Sequence, residues 1–154
     1  MLDFGNINHL LHKQYVDKVE RLALPFGDYA AQFKDGFRPA VFFERKSLAD
    51  LWGTLANQKN HKRFKTNLLR SIALGAQLVL IIERPLTTIL KGHKFNKSGR
   101  QVTSAFSGYS MVKLLGTLRA RHGLEVICCK DRSDMALEIA NRFIGIGRER
   151  YNKK

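Results

Sequence analysis

Two acidic residues and one lysine form the pattern in this sequence that is best suited to chemistry. Glu44 and Lys46 are two residues apart at the end of a segment rich in aromatic and apolar residues. Because side chains alternate between the two faces of a strand, both would point to one face and Arg45 to the other. A hairpin that turns near Asp35-Gly36 would bring Asp28 of the preceding arm close to Glu44. We therefore predict that two carboxylates and a lysine converge at the edge of a sheet.

These groups together suit the hydrolysis of a phosphodiester. Carboxylates bind a hard divalent cation such as Mg²⁺ through their oxygen atoms. The bound metal polarises the phosphate and lowers the pKa of a water molecule, and a lysine beside it orients that water or offsets developing negative charge. The alternative for Glu44 and Lys46 is an ordinary salt bridge, which is common between residues on one face and contributes little to stability.

Hydrophobic periodicity predicts the elements that must position these residues. A strand pattern precedes Asp28 and another leads into Glu44, and Ser47 is a suitable cap for the helix that follows. In chain order we predict strands at 19–26 and 37–43, helices from 47 to about 56 and from 64 to about 74, a buried strand at 77–82, a helix at 107–122, a strand at 124–129 and a last helix from 133 to 145. This alternation predicts an α/β fold, in which an antiparallel hairpin and later parallel strands form a mixed central sheet flanked by helices.

Positive charge dominates the middle of the chain. The sequence has 27 Lys and Arg against 13 Asp and Glu, a formal net charge of +14, and Glu83 is the only acid between Leu51 and Leu124. Glu83 ends the predicted central strand, where a site residue could lie, and the favoured interpretation is a salt bridge to one of these cations. This segment of almost exclusively positive charge predicts nucleic acid as the partner, and a solvated basic surface is the alternative. We predict a mobile basic loop at about 87–104, and phosphate contacts that select DNA shape rather than base sequence. The predicted DNA-binding residues are Lys59, Lys62, Arg63, Lys91, Lys94, Lys97 and Arg100.

Other features exclude several classes of protein. Cys128 and Cys129 are adjacent, so they are expected to be core residues in a reduced intracellular setting rather than part of a disulfide framework. The longest apolar stretch, Ile72–Ile82, is too short to span a bilayer, and the N-terminus lacks a signal-peptide pattern. We therefore expect no membrane partner and a cytoplasmic location, or a nuclear one in a eukaryote. His61 and His93 lack zinc-ligand spacing and are interpreted as surface residues.

The spacing of three segments resembles the motif of XPF-type nucleases: Gly27-Asp28, then Glu44-Arg45-Lys46, then Asp50. The likeness extends over nearly the whole chain and includes the Ile82-Glu83 end of the central strand. It implies a single nuclease domain over residues 1–154, with a restriction-endonuclease-like core and a variant of the PD-(D/E)xK site. It also implies structure-selective cutting of branched DNA, at forks, flaps or four-way (Holliday) junctions.

The resemblance further implies a role for each residue of the site. Asp28 and Glu44 are expected to bind Mg²⁺ or Mn²⁺, with the Arg45 carbonyl as a third ligand. Lys46 is expected to be the catalytic lysine, and Arg45 and Asp50 complete the catalytic motif. From their proximity in the sequence, we also expect Arg45 and Asp50 to pair and to brace the strand against the next helix.

The N-terminal segment departs from the family's pattern. Asp3 corresponds to the first acid of the family and is a candidate metal ligand, but the usual Arg-Glu pair is absent and Asn6 stands in place of the Glu. Two functions therefore remain open: an active metal-dependent endonuclease, or a catalytically weak or inactive DNA-binding partner subunit. A basic RNA-binding protein without catalysis would explain the charge, but not the placement of the carboxylates and the lysine.

The sequence also bears on partner domains and on assembly. Neither a helix-hairpin-helix module nor a helicase-like domain, both of which accompany the family's nuclease domains, is apparent. DNA binding is therefore expected to depend on this domain itself, on a dimer partner or on further segments. The apolar faces of the last two predicted helices are consistent with a homodimer, and packing in the core explains them equally well.

Overall fold

The computed structural model describes residues 18–152, which form an α/β fold built on three parallel strands. In chain order the elements are β1 (Val41–Lys46), α1 (Leu48–Leu55), α2 (Gln58–Ala73), β2 (Gln77–Ile82), α3 (Leu86–Leu90), β3 (Lys94–Lys97), β4 (Arg100–Thr103), α4 (Gly108–His122), β5 (Glu125–Cys128) and α5 (Arg132–Tyr151). The sheet has the order β1-β2-β5, and β3 and β4 form a separate antiparallel hairpin. β2 is central because its continuous apolar sequence tolerates burial on both faces, as predicted for this segment.

Helices cover both faces of the sheet, and the alternation of side chains along the strands decides which layer each residue meets. Phe42 and Ile82 belong to a core cluster formed with α1, α2 and α4, which includes Trp52. Phe43 and Ile81 belong to a second cluster, formed with α5. Even-numbered residues of β1 and β2 thus face one layer and odd-numbered residues face the other. The predicted α/β fold with helices on both faces of the sheet is confirmed.

The predicted core residues of the last two helices and of the last strand are largely buried. Met111, Leu115 and Leu118 of α4 are buried in the first cluster, and α5 contributes Ile139 and Phe143 to the second as partly buried residues. Packing in the core therefore accounts for these apolar faces. Both cysteines are free thiols: Cys129 is buried and Cys128 is half-buried, as predicted.

Local sequence signals set most helix boundaries. Ser47 caps α1 by accepting a hydrogen bond from the Asp50 backbone, and Gly123 ends α4 in the left-handed conformation that favours glycine, both as predicted. α2 begins earlier than predicted because Asn57 caps it directly. The prediction that Gly145 ends α5 was wrong, since the helix continues to Tyr151. A glycine inside a helix lowers helix stability by about 1 kcal/mol relative to alanine. Packing along the rest of α5 outweighs this cost.

Within residues 18–152, the predicted antiparallel hairpin is reduced to one bridge, and the three strands of the main sheet are parallel. Residues 19–26 form no strand, β1 begins only at Val41, and the antiparallel pairing is reduced to one bridge between Tyr29 and Phe43. Residues 19–26 pair with no strand among the described residues. Leu22 is exposed, whereas Phe26 is buried against the Phe42 ring. The chain before Asp28 is therefore held by side-chain packing rather than by a ladder of backbone hydrogen bonds.

The predicted basic loop at 87–104 contains regular structure. It includes α3 and the β3–β4 hairpin, whose turn places both Ser98 (φ 51°) and Gly99 (φ 76°) in the left-handed region. Turns with two positive φ angles match the twist of a hairpin, and a Ser-Gly pair suits them. The expectation of an irregular loop was wrong because this turn lets the four residues on each side of it pair as antiparallel strands.

Candidate active site

Asp28 lies along the free edge of β1. Tyr29 and Phe43 exchange two backbone hydrogen bonds, of 3.1 and 2.9 Å, and the Asp28 N–H donates to the Phe43 carbonyl at 2.6 Å. One oxygen of the Asp28 carboxylate, Oδ2, accepts a hydrogen bond of 2.8 Å from the Arg45 N–H. The structure thus brings Asp28 beside the Glu44–Arg45 peptide, although the two are far apart in the sequence.

Gly27 allows this close approach. It has a φ of +60°, and a Cβ atom at this position would lie 2.6 Å from the Phe43 carbonyl oxygen. Both the backbone conformation and the contact therefore favour glycine. This is the physical reason that a glycine must precede Asp28 for its carboxylate to reach the β1 edge.

Glu44 and Lys46 point to the same face of β1. The Lys46 ammonium donates a hydrogen bond of 2.6 Å to Glu44 Oε1, and the two side chains are only 14% and 18% exposed for Lys46 and Glu44, respectively. The salt bridge considered as the alternative is therefore present. Because it is largely shielded from solvent, and because a second carboxylate lies at the same strand edge, it differs from an isolated surface pair.

Arg45 points to the opposite face and pairs with Glu83, not with Asp50 as predicted. Arg45 Nε lies 3.2 Å from Glu83 Oε2, and Arg132 Nε lies 3.4 Å from the same oxygen. The prediction was wrong because Asp50 is on α1, which covers the other face of the sheet. The interpretation of Glu83 as a salt-bridge partner is confirmed. Arg45 thus braces β1 against the end of β2 and the start of α5.

Tyr29 lies in the same electrostatic neighbourhood. Burial raises the pKa of its phenol to about 12, with smaller and opposing influences from the charges of Arg45, Asp28, Arg132 and Glu83. The segment after Tyr29 is held to α5 by the guanidinium of Arg150, which lies 3.9 Å from the centre of the Phe37 ring. These contacts fix the chain that carries Asp28.

Asp50 has a local structural role in the first turn of α1. Its Oδ2 accepts a hydrogen bond of 2.6 Å from the Ser47 hydroxyl, while its backbone N–H donates to that hydroxyl at 3.1 Å. The Ser47 hydroxyl is the main reason that the pKa of Asp50 is lowered, with smaller influences from Lys46 and Arg45. The residue is exposed and holds the start of the helix that follows β1. Its catalytic role stays a prediction.

The donor atoms at the end of β1 fit a hard divalent cation. Phe43 and Arg45 share an orientation in the strand, so the Arg45 carbonyl points to the free edge where Asp28 lies. Two carboxylates and one carbonyl are oxygen ligands of the kind that Mg²⁺ and Mn²⁺ prefer. Within residues 18–152 no group of three or more His, Cys, Asp or Glu side chains is close enough to hold a metal. The third predicted acid, Asp3, lies outside the described residues.

α2 packs on the face of the sheet that carries Glu44 and Lys46. The predicted DNA-binding residues on its first half are exposed: Lys59, Lys62 and Arg63. Beside them, His61 Nε2 is buried without a hydrogen-bond partner. The interpretation of His61 as a plain surface residue was wrong, since it is half-buried in a shallow cavity among cations. That cavity is lined by Gln58, Lys59, His61, Lys62 and Lys65.

The remaining predicted DNA-binding residues lie in the connection between β2 and β5. This connection leaves the carboxyl edge of the sheet, where Lys46 and Glu83 lie, and α4 then returns the chain to the opposite edge. His93, at the base of the hairpin, is half-buried and packs against Trp52 rather than lying free on the surface as predicted. Lys91, Lys94, Lys97 and Arg100 are all exposed.

The sequence matches the ERCC4 domain over residues 2–141. The match covers most of the chain, which therefore belongs to the ERCC4 domain family, a family of nucleases. The fold is similar to that of XPF from Aeropyrum pernix, with a TM-score of 0.51 and 21% sequence identity, over 82% of this chain and 54% of that chain. The chain thus spans about half the length of that protein. A search of curated proteins finds no match. Within residues 18–152, no helix has the length and apolar character needed to cross a membrane.

Proposed function

We propose that this chain is a Mg²⁺- or Mn²⁺-dependent endonuclease that cuts branched DNA at forks, flaps or four-way junctions. The observation that carries the proposal is the hydrogen bond of 2.8 Å between Asp28 and the Arg45 N–H. It holds a carboxylate at the end of the strand that bears the Glu44–Lys46 pair. Membership of the ERCC4 domain family supports a nuclease function for this arrangement.

The cation would be held by three groups: Asp28, Glu44 and the Arg45 carbonyl. The metal, when bound, supplies Lewis-acid polarisation of the phosphate and a water of lowered pKa. Asp28 keeps one oxygen for this purpose, because Oδ2 is engaged with the Arg45 N–H. The Arg45–Glu83 ion pair on the other face keeps this strand end in place. Asp3 is proposed as an additional ligand.

Lys46 supplies the positive charge of the reaction centre. Its ammonium lies 2.6 Å from Glu44 Oε1, so the pair holds the amine at the strand end with little freedom. An ammonium fixed there orients the attacking water and offsets the negative charge that develops on the phosphate oxygens. The attack forms a new phosphorus–oxygen bond, one phosphodiester bond breaks, and the leaving sugar oxygen gains a proton. Asp50 supports the reaction by holding the start of α1.

The exposed cations of α2 and of the hairpin are proposed to bind the DNA backbone. α2 packs on the face of the sheet that carries Glu44 and Lys46, and the base of the hairpin packs on Trp52 of the same layer, which supports a duplex arm on that side. Contacts with phosphates do not read bases, which supports selection by DNA shape. The free thiols of Cys128 and Cys129 support a reducing intracellular location. A homodimer is also proposed, through surfaces outside the core faces of α4 and α5.

The experiment that tests this function is a cleavage assay with end-labelled fork, flap, four-way junction and linear duplex of matched length. Each DNA is incubated with the protein in Mg²⁺, in Mn²⁺ and in EDTA. We expect cutting of at least one branched DNA that needs the metal and exceeds cutting of the linear duplex. Sedimentation velocity of the same protein tests the homodimer.

The second candidate is a catalytically weak or inactive DNA-binding partner subunit. The observation that favours it is Asn6, at the position where the family's pattern has an acid. Selective binding of branched DNA without cutting in either metal would establish this alternative and reject the enzyme.

A further inference from the structure

The β3–β4 hairpin has one face on which apolar and basic side chains lie next to each other. Phe95 pairs with Val102 across the two strands, and Lys97 pairs with Arg100 next to the turn. Because residues two apart share a face, all four side chains lie on the same side of the hairpin. We call this set the hairpin face.

The apolar part of the hairpin face is exposed. Phe95 is 42% exposed and Val102 is 37% exposed, and all eight strand residues of the hairpin are exposed. The hairpin has only two strands, and no helix packs on this pair among the described residues. The exposed parts of both side chains lie within a polar surface and can contact a ligand.

The base of the hairpin is fixed to the body of the domain. The His93 ring stacks on Phe95, with 6.2 Å between the ring centres, and packs on the buried Trp52 ring at 5.7 Å. The Ser104 N–H donates a hydrogen bond of 2.8 Å to the His93 carbonyl and closes the hairpin where its strands enter the domain. The row of rings from Trp52 through His93 thus presents Phe95 in a defined orientation.

The charge around the hairpin face indicates the chemistry of its partner. Lys97 and Arg100 flank the apolar pair at the tip, and the whole hairpin contains no acidic residue. The partner must therefore offer an anionic backbone together with a flat apolar surface. An unstacked nucleobase between its phosphates has both, whereas a closed duplex covers the base faces.

We propose that the hairpin face binds the unpaired nucleotide at a DNA branch point. Phe95, supported by Val102, stacks on the exposed base, and Lys97 and Arg100 bind the phosphates on either side of it. This inference rests on the proposed function in one respect, that DNA is the ligand. It adds an element that distinguishes forks and flaps from linear duplex, since their unpaired arms expose base faces to stack on.

The experiment compares variants in equilibrium binding by fluorescence anisotropy, in EDTA so that no DNA is cut. The probes are a labelled fork with unpaired arms and a linear duplex of the same length. For Phe95→Ala we expect affinity for the fork to fall by roughly 5- to 150-fold, the loss of one base–aromatic stack, while affinity for the duplex changes by less than about twofold. Phe95→Tyr keeps the ring and should bind the fork as the unsubstituted protein does.

Two further variants separate stacking from charge and from a general loss of apolar surface. Lys97→Gln with Arg100→Gln should weaken binding to both DNAs and reduce the slope of log affinity against log salt by about 0.7–0.9 for each charge. Leu74→Ala removes an apolar side chain that is 70% exposed at the opposite edge of the sheet, so it should change neither affinity.

Equal losses on fork and duplex for Phe95→Ala, or no loss on either, would overturn the inference. Failure of Phe95→Tyr to retain the affinity of the unsubstituted protein would also overturn it. The outcome is independent of cutting: selective loss on the fork by a protein that never cleaves DNA upholds the inference and rejects the nuclease. Cleavage of branched DNA that Phe95→Ala leaves unaffected, together with unchanged binding, upholds the nuclease and rejects the inference.

Discussion

Glu83 joins β1 to the start of α5 through ion pairs with Arg45 and Arg132, and its removal makes a quantitative prediction. The side chain is 7% exposed, and its Oε2 lies 3.2 Å from Arg45 Nε and 3.4 Å from Arg132 Nε. The two arginines differ in burial, since the Arg45 side chain is 16% exposed and that of Arg132 is 54% exposed. Glu83→Gln keeps the size of the side chain and removes its charge, so it leaves Arg45 as a mostly buried cation without a counter-ion.

Breaking a buried ion pair from one side costs about 3–5 kcal/mol of unfolding free energy. Because Arg45 retains some exposure and glutamine still accepts a hydrogen bond, we expect the lower end, about 3 kcal/mol. That value corresponds to a fall in melting temperature of about 6–12 °C for a domain of this size. Arg132→Gln is the matched control, and because it removes only the exposed partner it should cost less than about 1 kcal/mol.

Urea unfolding followed by circular dichroism measures both variants on one scale. A double variant, Arg45→Met with Glu83→Leu, removes both buried charges and should recover most of the stability that Glu83→Gln loses. The reasoning would be refuted if Glu83→Gln unfolded at the same urea concentration as the unsubstituted protein. It would also be refuted if Arg132→Gln were equally destabilising, because the cost would then not follow burial.

Two other predictions concern the placement of Asp28 and the ionisation of buried groups. Gly27→Ala should lower the unfolding free energy by more than the roughly 1–2 kcal/mol that a left-handed alanine costs, because its Cβ would also lie 2.6 Å from the Phe43 carbonyl oxygen. The same substitution should impair cleavage. A variant that stays active with unchanged stability would contradict this prediction. Burial raises the pKa of Cys129 from 9.0 to about 12 and that of Tyr29 from 10.0 to about 12. Since the unfolded chain loses these protons first, stability should be complete below pH 9 and fall as pH rises toward 12. Thermal scans of Cys129→Ala and Tyr29→Phe should show a shallower alkaline decline, and an unchanged decline in both contradicts the burial argument.

Local signals in the sequence were sufficient for several elements. Ser47 predicted a helix start because its hydroxyl can satisfy an unpaired N–H of the first turn. Gly123 predicted a helix end because it adopts the left-handed conformation at low cost. The buried strand Gln77–Ile82 was predicted with the bounds that the structure has, because a continuous apolar run of this length suits a central parallel strand. Each of these inferences depends only on neighbouring residues.

The parts of the site that depend on the arrangement of layers could not be predicted. The alternation of side chains along a strand correctly placed Arg45 on the face opposite Glu44 and Lys46. It did not show that α1 covers one face of the sheet and α5 the other. Without that knowledge, Asp50 was the nearest acid in the sequence, and Glu83 is the partner in the fold. Residues 19–26 have the composition of a strand, but they pair with no strand among the described residues.

The hairpin, by contrast, was predictable from signals that the sequence contains. Ser98-Gly99 is a turn sequence, and the four residues on each side pair fully in the structure. The abundance of lysine and glycine around it favoured a loop instead. Its position, at the edge of the sheet where the catalytic strand ends, depends on the crossover from β2 to β5 and so required the fold.

The central claim is that Asp28, Glu44 and Lys46 form one metal-dependent reaction centre. Single-turnover cleavage of the preferred branched DNA, in Mg²⁺, tests it most directly with Asp28→Asn, Glu44→Gln and Lys46→Ala. Glu138→Gln, which removes an exposed carboxylate from α5, is the control. We expect each site variant to lose about 100-fold or more in rate while circular dichroism shows it folded at the assay temperature, and the control should keep full activity. Cleavage that survives in the three site variants would contradict the account and locate the chemistry elsewhere in the chain.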